Sequence, residues 1–271
     1  MKIELPKNID LKNPLNYILM IEIHPEQFSF SLYDSEKECF CYFYRIPKSE
    51  NKNAFSDFKD FLFENDFLRL PFQKVYVINY TSIFTYIPEA LYEEKVRKAY
   101  LNFLFSDKSG KTLSEKGSDS DFIVVHSIPE DVYDFLRHSF ENARIKHHTT
   151  PIISTLQNSS NEESRFMLVN KFGDGMDILC FSGRQFLLGN HFDCPTTKDA
   201  VYYPLFVWRQ LKFDQLTDTL FVIDQDTKLL DSLKTYIQQV GFLDIPSEIF
   251  SESINAQSMP LEMVSLALCE F

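Results

Sequence analysis

Apolar and polar positions alternate along the chain in a way that names its elements in order. Tyr17 to Ile23, YILMIEI, is a nearly continuous apolar run of strand length, the pattern of a strand buried on both faces. His24-Pro25-Glu26 then turns the chain, residues 27–33 alternate with period two, and Glu38 to Ile46 is a third, aromatic strand ended by Pro47. Three strands with tight connections predict a meander. Asn53 is placed to cap a helix over 54–67, whose Phe55, Phe58, Phe61 and Leu62 recur at helical spacing. A strand at 73–80 and a helix over 89–105, opened by Pro88, follow. Residues 106–120 read as a polar surface loop and 122–127 as a strand. Pro129 opens a helix with Val132, Phe135, Leu136, Phe140 and Ala143 on one face, and a short apolar helix covers 151–156.

Beyond Thr149-Thr150-Pro151 the pattern begins again. Phe166 to Lys171 reads as a strand, Phe172-Gly173-Asp174-Gly175 as a turn, 176–182 as a second strand, and 185–193 as a third before Pro195. Placing Met20 on Leu168 puts Glu22 on Asn170, Phe28 on Met176, Leu32 on Cys180, Phe40 on Leu188, Tyr44 on Phe192 and Pro47 on Pro195, at a constant offset of 148. A helix over 198–213, a strand over 219–224 and a helix over 227–240 ending at Gly241 complete the second half. The reading is a duplicated α/β chain of two lobes, 1–150 and 151–271.

Composition narrows what those lobes can do. Glycine occurs 7 times in 271 residues, where average usage would supply roughly 19, so a fold relying on glycine-rich phosphate loops is disfavoured. The 27 phenylalanines and 13 tyrosines are core-building material. A net charge of −12 repels phosphate backbones and argues against nucleic acid as a partner. Five cysteines with no CxxC pair suggest neither a disulfide framework nor a zinc cage, and no apolar run reaches membrane-span length. The expected location is the cytoplasm.

This layout resembles the actin-like ATPase (ribonuclease H-like) fold of actin, Hsp70 and sugar kinases. Ile87-Pro88, the strand at 121–127, the helix at 129–144 and the apolar stretch 151–156 precede the second meander much as in assembly proteins of the PilM and GspL type. The closing Leu261 to Leu268 is similar to the terminal GLAL-type helix of that group. As a whole the chain resembles the DUF3822 family of Bacteroidetes proteins.

The resemblance implies a nucleotide site in the cleft between lobes, built from glycine amides of the two meander turns and from aspartates that organise Mg²⁺ and the attacking water. The turns here depart from that pattern. In the first, Glu22 keeps a carboxylate, but neither glycine is present and Pro25 has no amide to donate. In the second, Asn170 replaces the aspartate and Phe172 the first glycine, leaving Gly173 and Gly175 to approach a ligand and Asp174 or Asp177 to take the metal role. The same FGDGM is also what a tight hairpin needs for its own geometry. Leu220 to Asp226, LFVIDQD, lacks the double glycine of the adenosine site.

Other motifs carry less. Ser109-Gly110-Lys111-Thr112 mimics the end of a Walker A loop without its first glycine, and follows a helix rather than a strand. His147-His148 reads as a basic helix C-terminus. The sequence has no nucleophile elbow and no recognisable Cys-His pair, so catalytic and metal residues are both expected to be none. The expectation is a binding or scaffold module without a cofactor, partnered by a protein or by its own copy, the aromatic strand Phe40 to Tyr44 being a candidate edge. The alternative is a divergent ATPase or kinase using ATP and Mg²⁺ at Glu22, Asp174 and Asp177.

Overall fold

The computed structural model describes residues 2–271 except 7–8, 48–53, 106–109, 118–119, 161–163, 224–225, 253 and 256–257. The chain divides into two compact units, residues 1–152 with 246–271, and residues 153–245. The tail 246–271, which the lobe bounds 1–150 and 151–271 put with the second lobe, groups by its contacts with the first unit.

In the first unit, β1 (Tyr17–Ile23), β2 (Gln27–Asp34) and β3 (Cys39–Pro47) form the predicted meander. β4 (Lys74–Asn79) and β8 (Arg144–His147) extend it with parallel pairings, giving the order β3-β2-β1-β4-β8. β1 lies between an antiparallel and a parallel neighbour, and all seven of its residues are buried, which is why its sequence reads as an unbroken apolar run. α1 (Ala54–Glu64) buries Phe55, Phe58, Phe61 and Leu62 against the sheet, with Phe28 4.8 Å from Phe58 and 5.4 Å from Phe61 between ring centres. Each such buried ring contributes about 1.5–3 kcal/mol. α3 (Glu130–Ser139) joins the same core through Val132 and Leu136. Asn53, the expected cap of α1, lies outside the described residues.

A second, three-stranded sheet, β5-β7-β6, belongs to this unit: β5 (Phe84–Pro88), β6 (Lys111–Lys116) and β7 (Phe122–Ile128). Here the sequence reading needs correction. Part of the polar loop 106–120 is β6, an edge strand whose backbone is satisfied by antiparallel pairing with β7; polarity along the chain does not report that pairing. The helix expected over 89–105 is two short 3₁₀ turns, Glu89–Leu91 and Glu94–Val96, followed by α2 (Arg97–Leu104). The Tyr100 hydroxyl breaks it, accepting from the Glu93 amide and donating to the Leu91 carbonyl at 3.0 Å. α3 ends at Ser139; Phe140 and Ala143 stay in the core but lie beyond it.

The second unit repeats the first sheet's order. β9 (Arg165–Phe172), β10 (Gly175–Ser182), β11 (Gln185–Asp193), β12 (Thr219–Val222) and β13 (Gln239–Phe242) stand as β11-β10-β9-β12-β13. α4 (Thr149–Ser159) leads into it, and α5 (Thr197–Gln210) starts with a capping box between Thr196 and Asp199. α6 (Thr227–Lys234) is shorter than expected, because Gly241 sits within β13, beside Phe221 of β12.

The duplication survives with one adjustment. Leu32 faces Tyr42 across a bulge and Cys180 faces Leu188 across the same bulge, so the third strands align at an offset of 146, not 148. The cause is loop length: residues 35–38 join β2 to β3, whereas 183–184 suffice between β10 and β11. The tail ends in α7 (Leu261–Glu270), where Leu261 to Ala267 are all buried. No helix of the described residues is long and apolar enough to cross a membrane.

Candidate functional site

In the first unit, three parallel strands end side by side, the usual place for a ligand in an α/β sheet. The residue after each strand is aromatic: His24 follows β1, Tyr80 follows β4 and His148 follows β8. All three are buried, and Tyr80 lies between the imidazoles, 4.2 Å from His24 and 4.0 Å from His148. The row continues through His147, 4.2 Å from His148, to His126, 5.2 Å from His147. Four of the chain's six histidines are therefore packed at one place. His147-His148 is not a basic helix end; it closes β8 and leads into α4.

The Asn79 amide donates to His126 Nδ1 at 3.1 Å and to the Ser127 carbonyl at 3.0 Å, which leaves the His126 proton on Nε2. Burial, with His148 beside it, pushes the His126 pKa down to about 3, so the ring is neutral at physiological pH. Beneath the row, Glu115 accepts from the His147 amide and, at 2.7 Å, from the Thr150 hydroxyl. Burial raises its carboxyl to about 7 against the pull of Lys146, 3.8 Å away.

The first hairpin turn bonds to itself. The His24 amide donates to the Gln27 carbonyl at 3.1 Å and the Gln27 amide to the His24 carbonyl at 3.4 Å. The Glu26 amide donates to His24 Nδ1 at 3.0 Å, and Pro25 has no amide. Each position that would offer an N–H to phosphate is thus spent within the turn. Glu22 is buried just before it and accepts the Ser29 hydroxyl at 2.5 Å from the facing strand.

The other four sequence candidates lie in the second unit. Gly173 and Asp174 form the two-residue turn between β9 and β10; Gly173 adopts φ +55° and both are exposed. That left-handed backbone accounts for the glycine. Gly175 is required for another reason, since a Cβ there would stand 2.6 Å from the His191 ring. Asp177 is buried and paired with His191, whose Nδ1 donates to Oδ1 at 2.8 Å. His191 faces Asp177 directly across β10 and β11, an adjacency fixed by strand register and not legible from spacing. Lys111 of the Walker-like stretch pairs with Asp134 at 2.8 Å, and a Cβ on Gly110 would sit 2.3 Å from the Ile128 carbonyl oxygen; Ser109 lies outside the described residues. Of LFVIDQD, Asp226 caps α6 by accepting from the Leu229 amide at 3.0 Å, while residues 224 and 225 are not among those described. Among the described residues, no three His, Cys, Asp or Glu side chains are arranged to hold a metal ion.

Paired five-stranded sheets of this order, each opening with an antiparallel meander, define a protein of the actin-like ATPase fold. The chain belongs to the family described as "Protein of unknown function (DUF3822)", whose model matches residues 6–240. A crystal structure from Bacteroides thetaiotaomicron VPI-5482, described as a protein with actin-like ATPase fold and unknown function, is similar at 26% identity with a TM-score of 0.85, covering 97% of this chain and 99% of that one. A chain of the PilM-PilN type IV pilus biogenesis complex aligns at 12% identity and a TM-score of 0.59, over 94% of this chain and 98% of that one. The cytoplasmic domain of EpsL, from the type II secretion system of Vibrio cholerae, aligns at 10% identity and 0.44 over 94% and 96%. A search of curated proteins finds no match to this chain.

Proposed function

We propose that this chain is a non-catalytic binding or scaffold module, an actin-like ATPase fold whose nucleotide turns serve its own structure. One observation carries the reading: the turn at 24–27 spends its amides on its own His24 and Gln27. The pairing of Asp177 with His191, and the need for Gly175 beside that ring, support it from the second unit. A protein partner fits the reading, as the same fold occurs in the PilM-PilN complex. The five cysteines, none of them in a disulfide, fit a reducing compartment and support a cytoplasmic location.

The test is a thermal melt with Mg-ATP and Mg-ADP. A true site at ligand concentrations 100 times its dissociation constant adds about 2.7 kcal/mol, a shift of roughly 5–10 °C for a chain of this length. No shift is expected. A shift of that size would sink the proposal and favour the divergent ATPase or kinase, in which case Glu22→Ala and Asp174→Ala should abolish hydrolysis, the exposed Asp174→Ala without lowering the melting temperature.

A further inference from the structure

Six strands form sheet edges among the described residues, and five of them are guarded. β8 and β13 are four residues long, too short to template another strand. β5 ends in Pro88, and β6 carries Lys111, Glu115 and Lys116. β3 is bridged from within at Phe40, whose amide donates to the Ile249 carbonyl at 2.7 Å and whose carbonyl accepts from the Ser251 amide at 3.0 Å, a parallel bridge to Phe250, and its other end carries Arg45 and Pro47. β11, the counterpart of β3, pairs only with β10 among the described residues. It runs nine residues, none of them buried, and holds neither lysine nor proline. Its bulge at Leu187 is no barrier to strand addition, since β3 accepts Phe250 right beside the equivalent bulge at Cys41.

Charge selects the occupant. From Gln185 to Phe192 the strand bears no acidic, lysine or arginine side chain, an uncharged stretch in a chain of net charge −12. Exposed Arg184 precedes it, and Asp193, with its side chain 98% exposed, ends it. When two copies of this strand run antiparallel, the Arg184 end of each meets the Asp193 end of the other, so opposite charges face at both ends. Parallel pairing would set like against like. We infer that β11 is the edge through which two copies of this chain associate, antiparallel and two-fold symmetric, joining their second-unit sheets. This inference rests on the reading of the chain as a binding module and names the partner as a second copy.

Sedimentation equilibrium of the full chain at low salt tests it, with Arg184→Glu, Asp193→Arg and the double charge swap, all at exposed positions. The wild type should dimerise. Each single reversal turns two attractions into two repulsions and should weaken association on the order of tenfold, the double swap should restore it, and high salt should shrink these differences. Asn190→Lys, which places a charge on the exposed strand centre, should weaken association as well. Wild-type protein that stays monomeric up to roughly 100 μM overturns the inference. So does a dimer indifferent to the single reversals, or one the double swap fails to restore. Nucleotide melts report on the proposed function independently, so failure of one reading is distinguishable from failure of the other.

Discussion

His24 and Glu26 close the first hairpin between them: the Glu26 amide donates to the His24 imidazole Nδ1 at 3.0 Å, while the same ring packs 4.2 Å from Tyr80. One side chain thereby completes the turn and ties it to the end of β4. His24→Ala removes both contacts and should lower stability by about 2 kcal/mol, measured as a shift in urea midpoint at unchanged slope. Since Pro25 still supplies no amide, the variant should show no more response to Mg-ATP than the wild type. An unchanged midpoint would mean that His24 does not hold the turn.

Gly175→Ala should cost about 1–3 kcal/mol, because the new Cβ must displace the His191 ring from Asp177. If that clash is the cause, Gly175→Ala and His191→Ala should not add. A double-mutant cycle in denaturant should find the second substitution much less costly once the first is present. Simple additivity would show that Gly175 matters only for its backbone.

Two groups of the first unit, the buried His126 ring and the largely buried Glu115 carboxylate, oppose one another as pH changes. His126, held near 3 against an ordinary 6.5, binds more protons when unfolded, so its contribution is full above pH 6.5 and is lost as pH falls toward 3. Glu115, raised to about 7 from 4.5, binds more protons when folded, so its contribution is full below pH 4.5 and is lost as pH rises through 7. Each acts with a slope of up to about 1.4 kcal/mol per pH unit, and between roughly pH 4.5 and 6.5 the two cancel. Urea midpoints from Glu115→Gln should therefore rise with pH across that window while the wild type changes little. Parallel curves for the two proteins would refute this opposition.

Cys41 and Cys180 are buried, with thiols pushed up to about 12, and burial raises Cys194 to about 11. Thiolate is the reactive form, so these three should resist a disulfide reagent at neutral pH in the native protein. Partly exposed Cys39 and Cys269 should react first, and all five should react after denaturation. Rapid modification of Cys180 without unfolding would contradict the burial described for β10.

How much could be read before folding differs by kind of feature. The seven-residue run of β1, the period-two strands of both meanders and the phenylalanine stripe of α1 announced themselves, because a strand or helix face buried in one core imposes a period on its own residues. That position 25 has no amide to donate was legible at Pro25 alone. β6 and β13 were not legible, since a short or polar edge strand draws its hydrogen bonds from a neighbour distant in sequence. The two-residue slip between third strands was hidden for a similar reason: alternating strands look alike, and only pairing across the bulge sets their register. His24, Tyr80, His126 and His148 converge only because their strands do, and Asp177 meets His191 only because β10 and β11 pair in that register. The sequence by itself determined the segments whose buried face imposes a period, the strands of both meanders and α1 among them, and that the pattern occurs twice. Tertiary structure alone decided which side chains meet, because those contacts depend on strand order and register between segments that local periodicity does not connect.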